Sequence, residues 1–141
     1  MLFAIMASFT ACSQATSTGS KDPWTQAQLL PPAELAKTLN DPTATQPYLY
    51  CIGPQAVIKG SIDIGPTNSK ANLDALKAAV EKLPKDAPIV VYCGCCPYRS
   101  CPNVRPAFNL LNSMGFKNHK LLDLPQNIKV DWIDHGYPVM E

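Results

Sequence analysis

Apolar residues follow two patterns along this chain, one with the period of a helix and one in short continuous runs. Steps of three and four residues put apolar side chains on one helix face. This spacing predicts helices over residues 31–40, 69–83, 104–114 and 130–133. Apolar or aromatic runs bounded by turn residues are typical of strands. Such runs predict strands over residues 48–52, 88–92 and 120–124, with a further extended piece around 61–64.

The alternation of strands and helices predicts an α/β fold with a mainly parallel central sheet flanked by helices. Residues 88–92, PIVVY, are apolar throughout, as expected for a strand that is covered on both faces. Asn103 is a suitable N-cap for the helix that follows it. Gly115 stands just past the end of that helix, where a glycine often stops one.

Size and composition indicate a single globular domain. The chain has 141 residues, of which 46% are hydrophobic and 16% charged, enough to bury a real core. Its net charge is +1, and its lysines and arginines are scattered. These charges argue against a nucleic-acid partner and against a polybasic membrane-binding surface.

The N-terminal residues 1–11 are apolar and uncharged, which is typical of the central part of a secretory signal. The segment from Phe9 to Cys12 resembles the bacterial lipoprotein cleavage box, in which the cysteine becomes the acylated first residue. That resemblance implies lipidation at Cys12, a flexible tether over residues 12–23 and a folded domain over 24–141. It also implies a periplasm-facing location in the bacterial cell envelope, with the lipid as the only membrane anchor. A plain secretory signal or an upstream start stays open, because no Lys or Arg precedes the apolar run.

Cysteines are crowded into one loop, after the predicted strand 88–92. Four of the six lie within nine residues: Cys93, Cys95, Cys96 and Cys101. This crowding differs from the spread-out spacing of a disulfide scaffold and indicates metal binding, redox chemistry or a nucleophile. Cys51, on a predicted strand, is expected to be a buried small residue.

Six segments of the chain, taken in order, resemble the rhodanese-like family. They are residues 30–39 (LPPAELAKTL), 48–53 (YLYCIG), 58–64 (IKGSIDI), 88–93 (PIVVYC), 114–116 (MGF) and Trp132 with 136–139 (GYPV). The resemblance implies a rhodanese-like three-layer α/β domain. It also implies that Cys93 is the catalytic residue, which takes up a sulfur atom as a persulfide.

The chain departs from that family's pattern near the site. Cys51, Gly53, Val57 and Lys59 stand where the family has an acidic residue, an arginine, a histidine and a proline. Five residues separate Cys93 from Arg99, where the family usually has four, and the connection to the next helix is longer. These differences indicate a divergent branch.

The position of Cys93 in the predicted fold suits sulfur chemistry. It follows a predicted parallel strand, where α/β folds bind ligands, and the next helix start offers free N–H groups. A thiolate is the reactive form of cysteine, so we expect the sulfur to be exposed and ionised. Gly94, Arg99 and Arg105 are the predicted substrate-binding residues, because a loop that curls back brings amide groups and positive charge to an anion.

The other loop cysteines have two predicted roles. Cys95, Cys96 or Cys101 can resolve a Cys93 persulfide, or two of them can form a structural disulfide. Adjacent cysteines pair only under strain, so a bridge from Cys101 to Cys95 or Cys96 is preferred. Four thiolates can also surround zinc, but the C-x-C-C-x4-C spacing is unlike paired C-x-x-C knuckles. We therefore predict no metal and no cofactor, and keep metal binding as an alternative.

The resemblance implies a sulfurtransferase or persulfide carrier. Its partners would be a small sulfur-containing anion or persulfide donor and a thiol acceptor, which another protein can supply. A second hypothesis is a phosphatase or arsenate-reductase type of enzyme, because Cys93 and Arg99 have the Cys-x5-Arg spacing. Against it, Pro97 lacks one N–H of a phosphate cradle. A third is a non-catalytic module that binds a metal or a partner protein or changes redox state.

Overall fold

The computed structural model describes residues 21–141. Three predicted features lie outside the described residues: the signal over residues 1–11, the lipidation site at Cys12 and most of the tether. Within 21–141, the helices are all too short or too polar to cross a bilayer.

Five parallel strands form the sheet that residues 21–141 build. They are β1 (Leu29–Leu30), β2 (Tyr48–Cys51), β3 (Ile62–Asp63), β4 (Ile89–Tyr92) and β5 (His119–Leu122). Their order across the sheet is β1-β5-β4-β2-β3, and every pairing is parallel. The predicted α/β fold with a parallel central sheet is therefore confirmed, with β4 as the middle strand.

Three of the four α-helices in residues 21–141 connect strands, and the fourth follows the last strand. The four helices are α1 (Pro32–Asn40), α2 (Lys70–Val80), α3 (Val104–Ser113) and α4 (Ile128–Asp131). Short 3-10 turns cover Gln26–Gln28 and Ile133–His135. The predicted helix over 69–83 is shorter in the structure, because residues after Val80 form a turn in which the Leu83 N–H donates to the Val80 carbonyl.

The helices cover both faces of the sheet, which gives three layers. Buried residues of α2 and α3 pack with one face of the sheet, and those of α1 pack with Trp132 on the other. Side chains alternate along a strand, so Ile89 and Val91 of β4 point to the α2–α3 face, and Val90 and Tyr92 to the opposite face. The same alternation carries Cys93, the residue after β4, to the α3 side.

Tyr92 fixes the loop that crosses the opposite face of the sheet. Its hydroxyl accepts hydrogen bonds from the backbone N–H groups of Val57 and Ile58, at 3.1 and 3.2 Å. It also shares a hydrogen bond of 2.8 Å with the Ser61 hydroxyl. Burial raises the pKa of Tyr92 to about 12, so the hydroxyl stays neutral and keeps its proton for this network.

We predict that Tyr92→Phe lowers the free energy of unfolding by about 1–3 kcal/mol, because it leaves the buried N–H of Ile58 and the half-buried N–H of Val57 without an acceptor. The matched control is Tyr48→Phe on the neighbouring strand, where the side chain is exposed. That control is expected to change stability by about 0.5 kcal/mol or less. Urea unfolding measures both. Equal effects of the two substitutions would contradict this account of the loop.

Candidate functional site

Cys93 follows the last residue of β4, in the loop that leads to α3. Its side chain is only 1% exposed, so our expectation of an exposed sulfur was wrong. The cause is a close approach by the segment after β2. A Cβ atom at Gly53 would lie 2.8 Å from the Cys93 Sγ, so only a glycine lets the backbone pass there without displacing the sulfur.

A tight turn folds the cysteine loop back on itself. Within this turn, the N–H of Ser100 donates to the Pro97 carbonyl, and the N–H of Cys101 donates to the Tyr98 carbonyl. Tyr98 anchors the turn, since it is buried with its ring edge-on to Trp24, 5.9 Å between centroids. The turn thereby brings Cys101 to the end of β4.

All four loop thiols converge at one point. The Sγ atoms of Cys93, Cys95, Cys96 and Cys101 lie within 4.8 Å of one another. The Cys93–Cys95 distance is 3.4 Å and the Cys95–Cys96 distance is 3.2 Å. All four are free thiols, so the predicted bridge from Cys101 to Cys95 or Cys96 is not formed in this structure. Cys95 is exposed, Cys96 is half-buried, and the other two are buried beneath them.

Asn103, predicted only as a helix cap, contacts the Cys93 sulfur. It occupies the N-cap position of α3, but its side chain makes no capping hydrogen bond. Its Oδ1 accepts from the Asn68 N–H at 3.1 Å, which turns the Nδ2 group toward the Cys93 Sγ, 3.5 Å away. The Asn103 carbonyl also accepts from the Thr67 hydroxyl at 2.6 Å. An asparagine at a helix start directly after a nucleophile loop was the only sequence signal for this role.

Hydrogen-bond donors converge on Cys93 and stabilise its thiolate. The Cys101 thiol is the strongest contributor, followed by the Asn103 side chain and the backbone N–H and thiol of Cys95. Together they outweigh burial and hold the pKa of Cys93 well below the ordinary range of a thiol. Cys101 is the donor of this pair, and its pKa is raised because the hydrogen bond to the Cys93 thiolate holds the proton on the Cys101 sulfur. Burial and the neighbouring sulfurs raise the pKa of Cys95 to about 12.

The contribution of the helix start is indirect. The backbone N–H of Asn103 offsets only part of the rise in the pKa of Cys101, whereas the Asn103 side chain donates to Cys93 and lowers the pKa of that thiol. The start of α3 thus acts on Cys93 through the Asn103 side chain and, indirectly, through the Cys101 thiol. The expected row of free backbone N–H groups is not what stabilises the Cys93 thiolate.

The two predicted anion-binding arginines have partners outside the thiol cluster. Arg99 is exposed and lies over the Tyr98 ring, 5.2 Å from its centroid. Arg105 pairs with Asp22 at 2.5 Å, donates to the Arg99 carbonyl at 2.8 Å and lies over the Trp24 ring. No hydrogen bond joins either guanidinium to a loop thiol in this part of the chain. Asp22, which we assigned to the tether, therefore contacts the domain.

Gly94, the third predicted substrate-binding residue, has a packing role. A Cβ atom at this position would lie 2.6 Å from the Cβ of Ile128, so only glycine allows α4 to pack against the loop. The Gly94 carbonyl also accepts from the Ile128 N–H at 2.9 Å. A pocket of about 120 Å³ opens beside this contact, lined by Pro54, Gln55, Val57, Gly94, Cys95 and Ile128. Cys95 therefore lines this pocket while its Sγ lies 3.4 Å from the buried Sγ of Cys93.

Cys51 meets its prediction as a buried small residue. It is fully buried on the face opposite Cys93, where its thiol lies 3.2 Å from the Gln55 carbonyl and donates to it. Burial raises the pKa of this thiol. Cys51 is therefore a natural internal control for the loop cysteines.

No protein-family model matches this chain, and a comparison with curated proteins finds no significant match. The resemblance to the rhodanese-like family stays a prediction that rests on the sequence segments given above.

We predict that Asn103→Asp raises the pKa of Cys93 by about one pKa unit or more, since a hydrogen bond to a charged group contributes about 1.5–3 kcal/mol. The substitution keeps the acceptor for the Asn68 N–H but replaces the donor beside the sulfur with a carboxylate oxygen. Thiolate absorbance of the reduced, metal-free protein across pH measures the effect.

Asn112→Asp is the control for this prediction, because it makes the same change of charge at the far end of α3. It is expected to leave the thiolate titration unchanged. A Cys93 pKa that is unaltered by Asn103→Asp would remove Asn103 from the site.

Proposed function

We propose that this protein is a rhodanese-like sulfurtransferase or persulfide carrier that works through Cys93. One observation carries the proposal: the Cys93 Sγ lies at the carboxyl end of the central strand, with donors on several sides and an exposed thiol only 3.4 Å away. Parallel sheets bind ligands at this end. The sequence segments that resemble the rhodanese-like family point to the same residue.

The chemistry has two displacement steps at sulfur. The Cys93 thiolate attacks the outer sulfur of a donor such as thiosulfate, and the donor's S–S bond breaks with its electron pair leaving on sulfite. An acceptor thiolate then attacks the outer sulfur of the Cys93 persulfide, and the electron pair of the broken bond returns to Cys93. Covalent catalysis of this kind divides one transfer into two easier displacements, and no net oxidation occurs.

Burial of Cys93 restricts what reaches it. The route that we propose from solvent runs past the exposed Cys95 side chain and the pocket of about 120 Å³ beside Gly94 and Ile128. Because one water takes up roughly 30 Å³ in the liquid, this space suits a small sulfur anion or the end of a thiol acceptor. The outer sulfur of a persulfide would project toward Cys95, which can receive it or form a disulfide with Cys93 and release sulfide.

The contacts of Arg99 favour sulfur transfer over the phosphatase or arsenate-reductase hypothesis. That chemistry needs the arginine of the Cys-x5-Arg segment at the anion, whereas Arg99 is exposed and lies over Tyr98. Pro97 also removes an N–H from the loop. The proposal includes a location in the cell envelope with a lipid anchor at Cys12, which rests on the sequence of residues 1–12.

We predict that thiosulfate or polysulfide adds the mass of one sulfur atom to the Cys93 peptide of the reduced protein. Peptide mass spectrometry after blocking free thiols measures the adduct. Cys51→Ser is the matched control and is expected to keep full loading, since Cys51 lies on the opposite face of the sheet. Cys93→Ser is expected to abolish loading. An adduct that persists in Cys93→Ser, or its absence from the reduced protein, would overturn the proposal.

A further inference from the structure

We infer that the four loop cysteines form a mononuclear site for a soft closed-shell ion, Zn(II) or Cu(I). The ligands are the Sγ atoms of Cys93, Cys95, Cys96 and Cys101, which lie within 4.8 Å of one another. This inference goes beyond the proposed function and does not depend on it. The C-x-C-C-x4-C spacing argued against a metal site, because it differs from the spacing of two paired C-x-x-C knuckles. The turn that carries Cys101 back to β4 is what brings the four ligands together.

The distances between the sulfurs match those of a tetrahedral tetrathiolate. Zn–S bonds of about 2.3 Å put the sulfurs of a regular tetrahedron about 3.8 Å apart. The separations of 3.4 Å for Cys93–Cys95 and 3.2 Å for Cys95–Cys96 lie below this value, and no pair of the four sulfurs is more than 4.8 Å apart. Adjustments of about one ångström or less in each pair would therefore complete the site.

The composition of the cluster selects the class of ion. Its ligands are four thiols, and the group includes no carboxylate or imidazole from residues 21–141. Soft sulfur ligands favour Zn(II) and Cu(I) over Mg(II), Ca(II) or Mn(II), which prefer oxygen.

The surroundings supply the outer contacts that such a centre needs. The Asn103 side chain donates to Cys93, with 3.5 Å between its Nδ2 and the sulfur. N–H donors to coordinating sulfurs fix their orientation and offset their charge. Cys93 and Cys101 are buried ligands, whereas Cys95 is exposed and Cys96 half-buried, so that an ion can enter from their side.

Binding involves no oxidation or reduction. Each neutral thiol that coordinates gives up its proton to the solvent, and the sulfur donates an electron pair to the ion. A bound ion occupies the lone pair that Cys93 would use in attack. Metal and sulfane sulfur therefore compete for the same atom, and the metal-loaded protein is expected to resist persulfide formation.

Co(II) titration of the reduced, metal-free full chain tests the inference. We expect one Co(II) per chain, with the intense visible bands of tetrahedral cobalt and the charge-transfer absorption of four thiolates. Zn(II) is expected to displace it, and Cu(I) competition against Zn(II) then identifies the preferred ion. Cys93→Ser, Cys95→Ser, Cys96→Ser and Cys101→Ser are each expected to weaken Co(II) binding at least tenfold, since even outer contacts of a metal site are worth roughly 10–100-fold.

The control is Cys51→Ser, which lies outside the cluster and is expected to bind Co(II) as the parent chain does. Circular dichroism verifies that each variant is folded. Failure of the parent chain to bind Co(II), or unchanged binding and spectrum in Cys95→Ser or Cys96→Ser, would overturn the inference. No sulfur donor is present in this titration, so its failure is distinct from a failure of persulfide loading.

Discussion

The arrangement around one buried sulfur governs the chemistry of this protein. A thiolate inside a protein is costly unless hydrogen bonds stabilise it. At Cys93 those bonds come from the Cys101 thiol, the Asn103 side chain and the Cys95 loop segment, and Gly53 leaves space for the sulfur. Strand β4 delivers the residue, and the turn through Tyr98 and the start of α3 deliver its partners. The close contacts of the loop therefore act together on this one sulfur.

Burial changes what the site can accept. An exposed thiolate would react with many oxidants and alkylating agents, whereas Cys93 is buried and Cys95 is the exposed thiol of the cluster. Neighbouring thiols within 4.8 Å would serve as a route for sulfur under the proposed function and as ligands for a soft ion under the further inference. The same short distances thus support two kinds of chemistry, and the occupant of the Cys93 sulfur decides which is available.

Local sequence patterns were sufficient for most of the fold. The apolar run of β4, the helical spacing of α3 and the stop at Gly115, whose φ is +80°, follow from neighbouring residues alone. Strand β1 was missed because it has only two residues, Leu29–Leu30, and exists through its pairing with β5.

The site was less predictable, because its contacts join segments that are far apart in the sequence. The nucleophile position of Cys93 follows from its place after a strand, but its burial depends on Gly53, from the segment after β2. Asn103 has the local pattern of a helix cap, and only the hydrogen bond from Asn68 turns its amide toward the sulfur. Arg99 and Arg105 were chosen for charge and proximity in sequence, whereas stacking on Tyr98 and pairing with Asp22 draw them elsewhere.

The most direct test of the central claim is the ¹³Cβ chemical shift of Cys93, followed by NMR against pH in reduced, metal-free protein. The account predicts a thiolate shift at neutral pH and a titration well below that of an ordinary cysteine, while Cys101 remains a neutral thiol. A Cys93 signal that is neutral at pH 7 and titrates in the usual alkaline range would contradict it.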